Sequence, residues 1–202
     1  MSDLLVKAIN FRHACRIFDI NKRISENDLT YILEAGRMSP SSIGLEQWKF
    51  LVIKSNDIKS EFLSVVKKNI SQIETCSELI VLLYRKDLRG DSEYIRKQWG
   101  KIFNTIEVPE YYKILLNSRS DSELESWSKS QCYIALGNMM TAAAYIGIDS
   151  CPMEGFLKDE IEKILKIDTS KFGVALLLPL GYRVKEPISH KRSDFEDIVR
   201  FV

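Results

Sequence analysis

The chain has 202 residues, 45% of them hydrophobic and 28% charged, with a formal net charge of +1. This length is enough for one substantial core and too short for two catalytic domains, and the near-neutral charge argues against a nucleic-acid-binding protein, which would carry a basic excess. No apolar stretch is long enough to span a membrane and charges interrupt the N-terminal residues where an export signal would be apolar, so we expect a single cytoplasmic domain over residues 1–202.

Two helices are predicted near the N-terminus. Residues 3–11 have the apolar spacing of a short amphipathic helix. Ser25, with Asp28 three residues on, is typical of a helix start, and this second helix is expected to run to about Met38. Pro40 then ends it, because proline disfavours helical backbone at the residue before it.

The next segment alternates strands with a helix and then becomes polar. Aliphatic and aromatic residues predict strands at 48–53 and 79–84, and the spacing between them predicts a helix over 58–73. The stretch 86–126 is polar and charged with scattered aromatic residues, so we expect a helical excursion from the main sheet.

The most apolar helix is predicted over 122–146. It is apolar on nearly all sides, which indicates burial in a core or in a subunit interface, and Gly147 suits a left-handed cap at its end. The pattern then predicts a short strand, a helix, a longer strand and a C-terminal arm, at 149–153, 157–166, 172–181 and 183–202. Helices and strands that alternate in this way imply an α/β or α+β domain.

Common catalytic and nucleotide motifs are missing from the chain. It contains no Gly-x-Gly-x-x-Gly, no phosphate-binding P-loop and no Gly-x-Ser-x-Gly elbow, so a Rossmann NAD site is not supported. The four cysteines form no Cys-x-x-Cys pair, and the two histidines, His13 and His190, have no partner at metal-ligand spacing. We therefore expect reduced thiols and no metal site.

A basic cluster follows the first predicted helix. Arg12 and Arg16 lie four residues apart beside His13, and two guanidinium groups could hold a phosphate. From these residues alone, a solvated charged turn is the favoured interpretation. Cys15 lies two residues after His13, but packing is favoured over catalysis for a lone His-x-Cys pair.

Motifs spread along the chain resemble the nitroreductase family. Arg-His-Ala-Cys-Arg-Ile-Phe at 12–18 resembles the family's Arg-[Arg/His]-Ser-x-[Arg/Lys]-x-[Phe/Tyr], and 35–42 resembles its segment ending in Pro-Ser-[Ser/Ala]. Gly-Ile-Asp-Ser-Cys-Pro-Met-Glu-Gly-Phe at 147–156, Leu-Gly-Tyr at 180–182 and a basic pair at 191–192 complete the ordered set. The surroundings of its first and last cysteines are most similar to the oxygen-insensitive enzymes that activate nitroimidazole drugs.

This resemblance implies both a fold and an activity. It implies an α+β, nitroreductase-like fold with a central, mostly antiparallel sheet flanked by helices, paired into an intertwined homodimer with two flavin sites at the subunit interface. It also implies FMN as cofactor and NADPH or NADH as reductant. Nitro compounds, quinones or related small acceptors would then be reduced in a two-electron, ping-pong cycle, and the flavin would carry the chemistry without a catalytic side chain.

The family pattern assigns residues to each part of the flavin. It places Arg12, Lys191 and Arg192 at the phosphate, His13 and Ala14 at the phosphate or ribityl chain, and Arg16 at the pyrimidine edge that becomes negative on reduction. Further flavin contacts are assigned to Ser41 and Ser42 of the partner subunit, to Asn69 at the pyrimidine edge, and to a run along one ring face. With the neighbouring residues of these segments, the set comprises Ser39, Pro40, Ser41, Ser42, Asn69, Gln72, Pro152, Met153, Glu154 and Gly155.

Three departures from the family pattern leave alternatives open. Glu46 stands where an amide is usual in the family's Asn-x-Gln-Pro-Trp-x-Phe motif, Ala14 replaces a serine, and Gln72 replaces a basic residue. These changes suggest weaker FMN retention or an altered potential. The alternatives are a flavin-binding protein with little turnover, and a flavin reductase or flavin-modifying relative.

Overall fold

A computed structural model describes residues 2–187 and 191–202, so His190 lies outside the described residues. Its centre is a four-stranded sheet in the order β1-β2-β4-β3, and every neighbouring pair is antiparallel. The strands are β1 (Trp48–Ile53), β2 (Glu78–Arg85), β3 (Asp149–Ser150) and β4 (Phe172–Gly181). β1 and β3 are therefore the two edges of this sheet.

Helices cover both faces of the sheet. They are α1 (Ser2–Phe11), α2 (Glu26–Arg37), α3 (Asn56–Leu63), α4 (Ile70–Thr75), α5 (Glu93–Phe103), α6 (Glu110–Asn117), α7 (Asp121–Tyr145), α8 (Lys158–Ile164) and α9 (Phe195–Ile198). The Ser25 hydroxyl accepts a hydrogen bond from the Asp28 amide at 3.0 Å, as the predicted cap requires. Gly147 follows α7 with a φ of +76°, which is the left-handed conformation predicted for it. None of the described helices combines the length and the hydropathy that crossing a membrane requires.

The alternation of side chains along β2 divides the core into two layers. Odd-numbered residues such as Leu79 and Val81 pack with α3, α4 and α8 on one face, while Ile80 and Leu82 pack with α2 and α7 on the other. A Cβ on Gly36 of α2 would lie 2.7 Å from the side chain of Met139 of α7, so glycine permits this close helix contact.

The polar excursion forms a smaller core of its own. α5 and α6 lie within it, and their apolar residues enclose Leu45, which precedes β1. Trp99 and Leu116 are buried in this cluster, and the ring of Tyr112 lies 4.9 Å from that of Trp99. The excursion is thereby packed against the segment that enters the sheet.

Two predicted elements are wrong in extent. The helix expected over 58–73 is broken into α3 and α4, because the residues between them pair with a distant segment: Val66 forms a bridge with Phe156, and Leu157 donates to the Val65 carbonyl. The strand expected over 149–153 ends at Ser150. Proline at 152 has no amide hydrogen to continue the ladder, which resumes as a single bridge between residues 153 and 177.

Candidate functional site

A cavity of about 450 Å³ opens where the chain leaves α1 and where it leaves β4. Its walls come from two segments, and they comprise His13, Ala14, Cys15, Arg16, Ile17, Val184, Lys185, Glu186 and Pro187. Three of the residues assigned to the flavin by family pattern, His13, Ala14 and Arg16, line this cavity.

The first wall is fixed by β3 and by the end of β4. Ala14 forms a parallel bridge with Ser150, and the Cys15 amide donates to the Ser150 carbonyl at 3.2 Å. Phe18 is buried against Gly181, where a Cβ would lie 2.7 Å from its ring. Residues 14–18 therefore lie as an extended strip along the sheet edge instead of forming a solvated turn.

A buried ion pair between Asp149 and Arg183 stabilises this wall. Asp149 is 3% exposed and its carboxylate accepts from the Arg183 guanidinium, with Nη2 at 2.7 Å and Nε at 3.0 Å from Oδ1. The Arg183 amide donates to the same carboxylate at 2.8 Å, and His13 Nδ1 lies 3.4 Å from it. Arg183 also donates to the Phe11 carbonyl at 3.0 Å, so the pair ties the end of α1 to the sheet.

Three distant segments meet beside the cavity through polar side chains. Arg16 Nη1 donates to Asn69 Oδ1 at 3.0 Å, and Gln72 Nε2 donates to the same oxygen at 3.2 Å. Gln72 is buried, and its Nε2 lies 3.9 Å from Cys151 Sγ. Asn69 has a φ of +69°, which an asparagine tolerates better than most residues, and this turn directs its side chain to Arg16. The exposed Arg16 guanidinium is thus held in place.

The segment after β3, residues 152–155, combines exposed and buried positions. Pro152 and Glu154 are exposed, while Met153 is buried and exchanges hydrogen bonds with Leu177 at 2.8 and 3.0 Å. A Cβ on Gly155 would meet no atom of this chain within 4 Å, and its φ is not positive. The chain itself therefore does not require glycine there, which fits a position where a ligand approaches the backbone closely.

The proline-serine segment lies elsewhere on the molecule. Asn138 of α7 donates to Ser39 Oγ at 2.8 Å, the Ser42 amide donates to Gln131 Oε1 at 2.9 Å, and Ser41 Oγ accepts from the Glu46 amide at 2.8 Å. Neither these serines nor the exposed Pro40 line the cavity. Their assignment to a partner's flavin is compatible with this separation and stays a prediction.

The predicted phosphate cations lie outside the lining of the cavity. Arg12 is half-buried at the end of α1, whereas Lys191 and Arg192 are exposed and Arg192 Nη1 donates to the Lys191 carbonyl at 2.8 Å. None of the three lines the cavity, while Lys185 does. Sequence reasoning missed Lys185, Asp149 and Arg183, and the last two carry no pairing signal because they lie 34 residues apart.

The chemistry of Cys15 supports packing over catalysis. Burial, reinforced by the Asp149 carboxylate, raises the pKa of the Cys15 thiol to about 11, so it is protonated at neutral pH. Ligand atoms of His13, Cys15 and Asp149 lie within 4.8 Å of one another, a spacing that a metal ion could use. The guanidinium of Arg183 already neutralises this carboxylate, however, so the arrangement disfavours a cation.

Comparisons with known proteins identify the class to which this fold and site belong. A sequence model described as the Nitroreductase family matches residues 9–182, and the chain therefore belongs to that family of oxidoreductase enzymes. The family predicted from the motifs is confirmed.

Full-length relatives agree with this assignment. The chain is 39% identical over 223 aligned residues to "Putative NAD(P)H nitroreductase YfkO" of Bacillus subtilis, with 100% of both chains covered. It is also 39% identical over 215 residues to "Putative NAD(P)H nitroreductase SH0546" of Staphylococcus haemolyticus, covering 100% and 99% of the two chains.

Solved structures show the same fold. The structure of "a putative nitroreductase in complex with FMN" from Exiguobacterium sibiricum superimposes with a TM-score of 0.84 at 24% identity, covering 98% of this chain and 97% of that one. The enone reductase CLA-ER of gut-bacterial fatty acid saturation superimposes with a TM-score of 0.80 at 21% identity, covering 98% and 97%. The nitroreductase-like fold predicted from the resemblance is confirmed, with β1 to β4 paired antiparallel.

Proposed function

We propose that this chain is an FMN-dependent oxidoreductase that uses NAD(P)H to reduce nitro compounds, quinones or related small acceptors. The observation that carries this proposal is the junction of Arg16, Asn69 and Gln72, which joins the cavity wall at Arg16 to a segment 53 residues further along the chain. The names of the full-length relatives and the FMN complex of a structural neighbour support it.

The residues of this junction fit the pyrimidine end of a flavin. The Arg16 guanidinium is exposed, and its hydrogen bond to Asn69 leaves other N–H groups free to donate outward. A fixed cation there stabilises the negative charge that a flavin gains at N1 and O2 when it is reduced. When bound, FMN supplies the hydride and electron transfer, and the chain contributes binding, orientation and charge.

Other predicted contacts follow the length of the cofactor. Residues 152–155 present a backbone strip and an unfilled glycine position, which suit the face of a planar ring. Arg12 and His13 directly precede the strip of residues 14–18, and the cations at 191–192 join them and Ala14 in this proposal. NAD(P)H and the acceptor would use the same exposed face in turn, as a ping-pong cycle requires.

Exposed apolar surface supports the homodimer in this proposal. Four side chains of α1 (Leu4, Leu5, Val6 and Ile9) are each about half exposed, and Tyr133, Ile134 and Tyr145 leave one side of α7 in contact with solvent. The C-terminal residues Phe195, Ile198 and Phe201 are also exposed. A second copy that covers these surfaces would account for a helix that is apolar on nearly all sides, and it would bring Ser41 and Ser42 to the other subunit's flavin.

The role of Arg16 can be tested with a matched pair of variants. Arg16→Gln removes the cation while keeping a donor, and Arg96→Gln changes an exposed arginine on α5 that does not line the cavity. We expect Arg16→Gln to weaken FMN binding and to slow flavin reduction by NADPH. The two effects combined should amount to at least about tenfold, a loss of roughly 1.4 kcal/mol in transition-state stabilisation. Equal behaviour of the two variants would contradict the proposed site.

One observation supports the alternative of a flavin-binding protein with little turnover. Ala14 is exposed at the cavity and offers no hydroxyl to a phosphate, so FMN binding would lack one donor there. The Glu46 departure no longer supports this alternative, because its carboxylate pairs with Lys101 at 2.8 Å. Flavin that binds but stays oxidised in the presence of both NADPH and NADH would favour the alternative over the enzyme.

A further inference from the structure

The segment between α2 and β1 contains a strained turn, residues 41–47. Ile43 has a φ of +61° and Glu46 a φ of +50°, on either side of Gly44 at +68°. Left-handed backbone is unfavourable for residues other than glycine, and a β-branched isoleucine is among the least suited to it. Such a conformation persists only where surrounding contacts impose it.

Helix α5 provides most of these contacts. The Tyr94 hydroxyl lies 2.6 Å from the Leu45 carbonyl and 2.9 Å from the Glu46 carbonyl, so its single proton is shared between two consecutive peptide groups of the turn. One turn further along the helix, Gln98 Nε2 donates to this hydroxyl at 3.0 Å. Lys101 Nζ donates to Glu46 Oε2 at 2.8 Å. The Leu45 side chain is itself buried against Trp99 and its neighbours.

The turn passes this constraint to Ser41 and Ser42. The Glu46 amide donates to Ser41 Oγ at 2.8 Å, and the Gly44 amide donates to the Ser41 carbonyl at 2.9 Å. The Ser42 amide is fixed by Gln131 of α7 at 2.9 Å. The orientation of the Ser41 hydroxyl therefore depends on the position of Glu46, which depends on α5.

We propose that Tyr94 is a positioning residue for the flavin site, and that α5 holds the 41–47 turn in the conformation in which Ser41 and Ser42 meet the partner subunit's FMN. This inference rests on the proposed function. It also explains why a carboxylate replaces the family's usual amide at position 46: here that side chain is an anchor to Lys101. Burial, which raises the pKa of Tyr94 to about 12, keeps its hydroxyl protonated and able to donate.

The test compares Tyr94→Phe with Tyr112→Phe. Both changes remove a phenolic oxygen from the same small core. The Tyr112 ring packs on Trp99, but among the described residues it is the Tyr94 hydroxyl, and not that of Tyr112, that donates to the turn. Hydrogen exchange of the Gly44 and Glu46 amides is measured first in the FMN-free protein, and the Kd for FMN and the absorption maximum of the bound flavin are measured afterwards. We expect Tyr94→Phe to raise exchange at both amides and to weaken FMN binding, each by roughly tenfold, and to shift the absorption maximum. Tyr112→Phe should leave all three unchanged.

The outcomes distinguish a failure of this inference from a failure of the proposed function. Unchanged exchange in Tyr94→Phe would overturn the inference, and so would faster exchange with an unchanged Kd for FMN. If Tyr94→Phe does not fold, Lys101→Met replaces it, since this exposed lysine anchors the same turn and its loss should give a smaller change in the same direction. Failure of the unsubstituted protein to bind FMN would instead refute the proposed function, and it would be seen before any substitution is made.

Discussion

Replacing Arg183 with methionine should destabilise the protein more than any other single change beside the cavity. The substitution keeps much of the aliphatic bulk but removes the guanidinium that donates to Asp149 at 2.7 and 3.0 Å. Asp149 is 3% exposed, so its charge would be left in a buried position with His13 Nδ1, at 3.4 Å, in place of the guanidinium. Removing one partner of a buried pair in this way costs about 3–5 kcal/mol.

The reciprocal substitution, Asp149→Asn, should cost less. Without the carboxylate, Arg183 keeps Glu186 as an ion-pair partner at 3.0 Å, and its guanidinium lies 3.9 Å from the centre of the Phe11 ring. We expect about 2 kcal/mol, which is the range for a hydrogen bond to a charged group. The double variant should lose less than the sum of the two single variants, because it no longer contains an unpaired buried charge.

Urea denaturation at neutral pH measures all three variants on one scale. The free energy of unfolding should fall in the order wild type, Asp149→Asn, Arg183→Met, with m-values unchanged if the denatured state is unaffected. A larger loss for Asp149→Asn than for Arg183→Met, or strictly additive losses in the double variant, would refute this account of the ion pair.

Three further predictions concern thiols, pH and packing. Because burial raises the pKa of Cys15 and Cys76 to about 11, roughly one thiol in a thousand is ionised at pH 8, so a disulfide reagent should label the unfolded chain and not the native one. The pKa of Cys15 rises from 9.0 to about 11 on folding, so its contribution to stability is complete below about pH 9 and is lost towards pH 11. Cys15→Ala should flatten that decline in urea denaturation, by up to about 3 kcal/mol. A Cβ at Gly173 would lie 2.4 Å from the Tyr84 ring, so Gly173→Ala should cost about 1–3 kcal/mol, whereas Gly100→Ala, with 3.4 Å to its nearest neighbour, should be neutral or stabilising in a thermal melt.

The sequence predicted elements best where local chemistry decides them. Ser25 and Asp28 mark the start of α2, Gly147 marks the end of α7, and the aliphatic runs mark β1, β2 and β4. The break between α3 and α4 was not predicted. It depends on backbone pairing of residues 65–67 with residues 155–157, about ninety residues away, and the helical spacing of apolar residues does not indicate that pairing.

In the candidate site, too, local motifs could be predicted from the sequence and long-range contacts could not. Family motifs pointed to Arg16, Asn69 and Gln72, and the structure joins them, although the spacing of these residues alone gave no reason to connect Arg16 with a turn 53 positions later. The strip formed by residues 14–18 was read from its charges as a solvated turn, and its bridge to β3 could not be seen without the fold. Glu46 was interpreted as a departure that suggests weaker FMN retention or an altered potential, and its ion pair with Lys101 could not be predicted without the position of α5.

The anaerobic absorption spectrum of the purified protein, recorded before and after addition of NADPH, tests the central claim most directly. We predict about one bound FMN per chain after reconstitution and loss of its visible absorption within seconds of adding NADPH. FMN that binds but stays oxidised with both NADPH and NADH would contradict the proposed enzyme. If no FMN binds, the flavin site itself is refuted, and Arg16 with Asn69 and Gln72 would be a structural junction alone.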